Sequence, residues 1–457
     1  MVLATASLGR DALQRRVIRT LVGSQVLGGV GMACGIAVGA LLAEDLSGTE
    51  ALAGVGTTAQ VLGTALITIP VARSTAARGR RVGLRFGLTL AFVGAAVVLL
   101  AAVLRSFPLF VVGMFLFGGG TTANNQTRYA AADLALPAHR GRDLSIVVWA
   151  TTIGSVAGPN LVGPGKAVAQ ALGVPELSGV FVFSLAGFVL AWVVVDRLLR
   201  PDPLLTARAL DAETRRADGE RRRAEAVAAS PGSDDATSGS IADAPQHDGP
   251  NHDGSMRRGF AVVRANPRAM QGMLVMALGH LVMVSVMVMT PIHMKHGHAE
   301  LEVIGFVISM HIMGMFALSP LVGMAVDRWG GQVVATAGGS VLAFAAVLAS
   351  RSQAGWSGLL LVALFLLGVG WSCTLVSGST LLTSAVSTDE RPATQGLADV
   401  LMGLAGAFGG VAAGVVVGTA GYGMLALGSA AVGVVILVIG AARGARYRGD
   451  ADAPTPA

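Results

Sequence analysis

Residues 115–120 read FLFGGG, and residues 365–370 read FLLGVG. The offset of 250 that lays Phe115 on Phe365, Gly118 on Gly368 and Gly120 on Gly370 also lays Gly29 on Gly279 and Pro70 on Pro320. At 251 it matches Gly79 with Gly330, Arg140 with Arg391, Gly158 with Gly409 and Gly163 with Gly414. A single glycine match is cheap, but a constant offset held over most of a chain marks an internal duplication.

What is duplicated follows from composition. Of 457 residues, 53% are hydrophobic, 13% are charged and 62 are glycine; mean hydropathy is +0.66. These values lie far from soluble domains. Apolar runs of about 18 residues or more, each able to cross roughly 30 Å of hydrocarbon, recur throughout and imply helices rather than a barrel. Twelve spans are expected, near 17–42, 51–72, 82–104, 109–132, 144–165, 178–195, 269–292, 301–325, 332–350, 356–380, 394–418 and 423–442.

The chain therefore reads as an all-α polytopic membrane protein. Its expected parts are a six-helix half over 1–195, a cytoplasmic linker over 196–268, a second half over 269–442 and a cytoplasmic tail over 443–457. Six is even, so the halves run parallel. Leu204–Ala229 is rich in Arg, Glu and Ala and suits a surface helix, whereas Ser230–Ser255 has the Ser, Gly, Asp and Pro content of a disordered segment.

Charge gives the orientation. With the N-terminus inside, all 33 Lys and Arg except Arg105, Lys166, Lys295 and Arg351 fall on the cytoplasmic side, as the positive-inside rule requires of a cell-membrane protein. Topology thus accounts for the basic pI, and no nucleic-acid partner is implied. The first apolar run is too long for a signal-peptide core and stays as a span. Cys34 and Cys373 both lie inside spans, where neither a disulfide framework nor a zinc motif is available. No paired nucleophile and base and no nucleotide loop point to an enzyme, and no tightly bound cofactor is expected.

The two six-helix halves, the long central loop and the inward termini resemble the major facilitator superfamily, and the resemblance spans the whole chain. Gly323, Asp327, Arg328 and Gly330 match that family's G-x-x-x-D-R-x-G element, which implies a gating role through a charge at a helix end. In the first half only Gly79, Arg80 and Arg81 fit, and Ala76 stands where the acid belongs. Gly154, Gly158, Pro159 and Gly163 resemble the fifth-span element of proton-coupled drug exporters, with Gly158 and Pro159 as packing and gating positions. Asp399 and Asp133 are candidates for proton coupling, since an ionisable group at membrane depth is costly. Asp399 is placed to pair with a loop arginine, and Arg128 and Asp133 to reach the headgroups.

Met270–Met324 is the one stretch with unusual chemistry, holding 11 of 17 methionines and five of eight histidines. Met273, Met276, His280, Met283, Met287 and Met294 form one helical stripe. His293, Met294, His296 and His298 follow as an outer cluster. Thioethers suit Cu(I), which imidazole also binds; the competing explanation is that Met is a flexible core filler.

Met283-x-x-x-Met287 followed by His311-x-x-x-Met315 resembles the motif pair of CcoA-type copper importers within the superfamily. The resemblance implies that Met283, Met287, His311 and Met315 ligate Cu(I) between two adjacent helices, with Met276, His280, His293, His296 and His298 as auxiliary donors and a cytoplasmic copper acceptor as partner. Copper is then substrate, not cofactor. The alternative is a proton-coupled exporter of drugs or other amphipathic molecules.

Overall fold

The computed structural model describes residues 2–49, 52, 54–228 and 255–451, and no strand occurs among them. The helices are α1 (Val2–Ser47), α2 (Val55–Arg78), α3 (Arg80–Val103), α4 (Phe107–Asp133), α5 (Arg140–Asn160), α6 (Val162–Leu172), α7 (Val180–Leu198), α8 (Pro203–Ala228), α9 (Met256–Ala265), α10 (Pro267–His296), α11 (Leu301–Phe316), α12 (Ser319–Trp329), α13 (Gly331–Ser350), α14 (Gly358–Ala385) and α15 (Arg391–Ala451). Among the described residues, 10 helices are long and apolar enough to cross a membrane, or 11 when α5 and α6, bent by 60°, count as one. α15 is itself two helices joined at Gly421, which has φ 82° and ψ 168°. The expected count of twelve is thereby met.

Positive-φ glycines make the tight corners. Gly79 (φ 91°) joins α2 to α3, and Gly330 (φ 86°) joins α12 to α13; a side chain would be strained at both. These two positions are 251 apart in sequence and occupy equivalent corners of the two halves, so the repeat is structural. Deeper contacts repeat too. A methyl group on Gly63 would collide with the Phe115 carbonyl, and one on Gly314 with that of Phe365. Gly118 presses on the backbone of Gln60 and Thr64, and Gly368 on that of His311 and Met315. Small residues at these places let helix backbones approach closely, which is the main source of helix attraction in lipid.

One apolar core fills the first half around Phe117, Phe181 and Phe188, whose rings meet edge to face at 6.0 and 5.1 Å. In the second half, one cluster gathers Met273, Met276, Met283, Trp371 and Met402, and another gathers Val275, Leu342 and Leu364. The halves pack through α2 on α15 and through α5 on α11 and α12. Arg10 of α1 on the Leu134 carbonyl, Arg208 of α8 on the Ala76 carbonyl and Gln271 of α10 on the Ile439 carbonyl mark one end of the bundle, called here the linker end.

The linker carries a helix at each end. α8 occupies the segment read as a surface helix, but it is docked: Leu204 and Ala207 are buried. α9 precedes the second half and is capped by the Ser255 hydroxyl, which accepts from Arg258 N–H at 3.3 Å. His247 and His252 lie outside the described residues. α15 continues to Ala451, beyond the boundary expected at 442.

Candidate functional site

Between the halves lies a cavity of about 420 Å³, within the range that accommodates small organic ligands. Its two walls differ in chemistry. α1, α2, α4 and α5 contribute Gln25, Gln60, Thr64, Thr121, Asn124, Asn125 and Thr151; α10, α11, α14 and α15 contribute His280, Phe316, Trp371, Leu375 and Met402. The first wall thus carries the amides and hydroxyls, beside Met32, Val61 and Val148, and the other offers rings and aliphatic surface. Gln25 donates to Thr151 Oγ1 at 2.9 Å, while its buried Oε1 has no partner among the described residues.

Arg128 and Asp399 close the cavity toward the linker end. Arg128 Nη2 donates to Asp399 Oδ1 at 2.7 Å and to the Tyr129 hydroxyl at 3.1 Å. Gln126 Nε2 donates to the other carboxylate oxygen at 2.8 Å. The side chains of Arg128 and Asp399 are 6% and 1% exposed. A pair so enclosed is held by mutual attraction against the cost of desolvation, and removing one partner strands the other. Asp399 therefore pairs within the bundle, with α4, and not with a loop arginine.

The ladder continues below. Arg80 donates to Asp133 Oδ2 at 2.7 Å, to Gln126 Oε1 at 3.0 Å and to Gln395 Oε1 at 2.5 Å. Asp133, expected near the headgroups, is instead buried against Arg80 with a side-chain exposure of 0%. Gln126 connects the two carboxylate sites, accepting from one arginine and donating to the other arginine's partner. Arg391 adds a contact to Asp133 Oδ1 at 3.7 Å, and Arg140 makes the reciprocal reach to Ser384 Oγ at 2.7 Å.

The element around Asp327 joins the halves at their edge. Its carboxylate accepts from Gly141 N–H at 2.7 Å and from Arg142 N–H at 2.8 Å, capping the N-terminus of α5 from the other half. Gly323 lies against Ser145 and the Gly141 carbonyl with no room for a side chain. Arg328 is exposed. Gly158 seats α5 on Ala33 and Cys34; Pro159 is in α5, its side chain outside the described set. Among the described residues, the hydrogen bonds that join the halves through Gln395, Asp399, Ser384, Asp327 and Ser319 lie toward the linker end, so the cavity is shut there.

α8 supplies what the first half lacks at Ala76. Asp202, just before it, accepts from Arg81 N–H at 2.8 Å, and Arg208 donates to the Ala76 carbonyl at 2.8 Å. Arg208 also meets Asp389 of the second half at 2.8 Å, and Thr388 donates to Asp211. The absent acid at position 76 was the sequence sign that another residue had to serve this corner.

The methionine stripe is distributed differently from the cavity. Met283 is buried, and Met287 and Met315 pack partly buried against the same cluster. None of Met283, Met287, His311 and Met315 lines the cavity. α10 packs on α14 and α15, and α11 packs on α14 and α5. His311 Nδ1 lies 2.8 Å from the Leu364 carbonyl, and its buried Nε2 has no partner among the described residues. Met276 sulfur accepts from Ser379 at 3.2 Å.

The outer His/Met residues face different surroundings. Met294 points into the core, His296 and His298 are exposed, and His293 stacks on Tyr422 with centroids 4.1 Å apart. Among the described residues no group of three or more His, Cys, Asp or Glu is arranged to hold a metal. Cys34 and Cys373 do not line the cavity. His280 does, and there Trp371 Nε1 donates to its Nδ1 at 3.1 Å. Sequence reading passed over Trp371; an indole N–H in mid-span needs a partner, which is the signal that would have found it.

A sequence model of the Major Facilitator Superfamily matches residues 20–300 and 272–456. Over 430 residues the chain is 35% identical to the uncharacterized MFS-type transporter YddS of Bacillus subtilis (strain 168), covering 94% of this chain and 91% of the relative. It is 26% identical over 395 residues to the riboflavin transporter RfnT of Brucella anthropi, covering 85% of each. In fold it is similar to the human organic anion transporter MFSD10, with a TM-score of 0.70 at 15% identity, covering 93% of this chain and 99% of that one.

Proposed function

The chain belongs to the Major Facilitator Superfamily, and we propose that as a transporter of that family it carries a small organic solute across the cell membrane by alternating access. The observation that carries this reading is the two-faced cavity between the halves, with an amide wall opposite an aromatic wall. Such a lining suits a solute with a hydrogen-bonding edge and a flat apolar face. The charged groups that line it, Arg128 and Asp399, neutralise each other, so the cavity favours a solute without net charge. Riboflavin, the substrate named for the 26% identical relative, has this chemistry.

We place the linker end in the cytoplasm, because the Lys and Arg excess lies there. The cavity is then sealed inside and receives solute from outside. Opening inward requires the Arg128–Asp399, Arg80–Gln395 and Asp327–α5 contacts to separate. Solute can drive that change only by binding the inward-open state better than the sealed one. Protonation of Asp399 would remove the charge that holds Arg128, which offers proton coupling through the same pair.

Counterflow tests the reading. Liposomes holding the purified protein and unlabelled riboflavin should accumulate labelled riboflavin transiently and saturably. Accumulation no greater than in protein-free liposomes overturns riboflavin as solute.

Copper import is the second reading, favoured by one observation: His311 Nε2, without a partner among the described residues and buried one turn from Met315. Radiolabelled copper uptake that is unchanged by replacing Met283, Met287, His311 and Met315 with Ala would remove it. Drug export has no specific contact in its favour beyond the Gly158 packing; a resistance panel on expressing cells decides it.

A further inference from the structure

His280 and Trp371 stand together on the aromatic wall, and their hydrogen bond has a fixed direction. An indole nitrogen only donates, whereas a neutral imidazole has one donor and one acceptor nitrogen. Since Trp371 Nε1–H points at His280 Nδ1 over 3.1 Å, Nδ1 must be the acceptor and the ring proton must sit on Nε2. Which nitrogen carries the proton is set by the bond the other one makes. Trp371 is held in turn by Phe316, whose ring meets it edge to face at 5.6 Å. Among the described residues, Nε2 has no hydrogen-bond partner in the protein, and His280 borders the cavity.

The ring is also given room. A Cβ at Gly406 would lie 3.0 Å from His280 Nε2 and 2.9 Å from Cδ2, so the glycine leaves that edge uncovered. Gly406 borders the cavity as well.

Resting on the organic-solute reading above, we infer that His280, locked by Trp371 as the neutral Nε2–H tautomer, is the specificity-determining donor of the aromatic wall and selects planar, uncharged heterocycles bearing a carbonyl oxygen or an unprotonated ring nitrogen. The solute lies between the amide wall and the Trp371 and Phe316 rings, with its acceptor toward His280. Trp371 is a positioning residue that acts through the imidazole. In this tautomer Nε2 has no free lone pair for a metal, so His280 serves a solute acceptor and not Cu(I).

Two measurements on the full chain in lipid bilayers test this. Solid-state NMR of protein with 15N-labelled histidine, with the His280 signals assigned by difference from His280→Gln, should show an unprotonated Nδ1 and a protonated Nε2, and Trp371→Phe should abolish that fixed pattern. The opposite tautomer, or a pattern indifferent to Trp371→Phe, overturns the inference. Riboflavin binding is the second readout. His280→Phe and Gly406→Ala should each weaken it about tenfold, the scale of one lost hydrogen bond, while His280→Gln, which keeps an N–H donor, should recover most of the loss. Equal affinity across the variants overturns the donor role. Wild-type protein that neither binds nor exchanges riboflavin overturns the proposed solute instead, and the tautomer measurement then decides this inference by itself.

Discussion

Arg128 on α4 and Asp399 on α15 meet at 2.7 Å across the boundary between the two halves, at the closed floor of the central cavity. The contact joins residues 271 apart in sequence. It makes one charge pair both part of the cavity lining and part of the seal.

Removing one charge of this pair should be worse than removing both. Asp399→Asn leaves Arg128 buried beside a neutral amide and should destabilise the sealed form by about 3–5 kcal/mol. Arg128→Gln combined with Asp399→Asn should lose less. Thermal unfolding of the two single variants and the double variant in detergent checks this; a double variant as unstable as the sum of the singles refutes the coupling.

Asp327→Ala should weaken the seal without touching the cavity. The lost cap on α5 is of the order of 0.5–2 kcal/mol, enough to raise the open population several-fold. A cysteine placed at Ser384, which contacts Arg140 across the seam, should then react faster with a thiol reagent from the linker side. An unchanged labelling rate argues that the cap does not hold the seam.

Gly118→Ala and Gly368→Ala should behave alike, because each places a methyl group against the backbone of the facing helix. Overpacking of this kind costs about 1–3 kcal/mol. Gly414→Ala, with nothing within 4 Å of its added methyl, should be neutral or slightly stabilising through helix propensity. Melting temperatures of the three variants supply the comparison.

Arg208→Ala should free α8 from both halves at once, since Arg208 bonds the Ala76 carbonyl and Asp389. Hydrogen exchange over 203–212 should accelerate while α3 and α4 stay protected. Protection of α8 equal to wild type would show that Leu204 and Ala207 alone hold it.

Much of this architecture was readable residue by residue. Gly79 and Gly330 announced equivalent corners, and Phe115, Gly118, Phe365 and Gly368 announced equivalent helix contacts, because close backbone approach tolerates so few residue types. Asp399 was readable as significant, since a carboxylate in a span is costly, but its partner was not. The methionine stripe shows the opposite case. Met273, Met276 and Met283 have a spacing that serves equally for a ligand path and for a buried face, and here they sit in a core cluster. Trp371 signalled only that a mid-span indole N–H needs a partner; which partner was not legible, because that histidine lies 91 residues away.

The chain by itself determined a helical membrane protein of two repeated halves, because apolar length and the need to satisfy backbone hydrogen bonds within each segment are local properties. Tertiary structure alone decided that Arg128 finds Asp399, that Arg80 finds Asp133, that Trp371 sets the proton of His280, and that α8 clasps both halves. Those pairings depend on how each helix is rotated and which helix it meets. Helical periodicity describes one face at a time and carries no information about the face opposite.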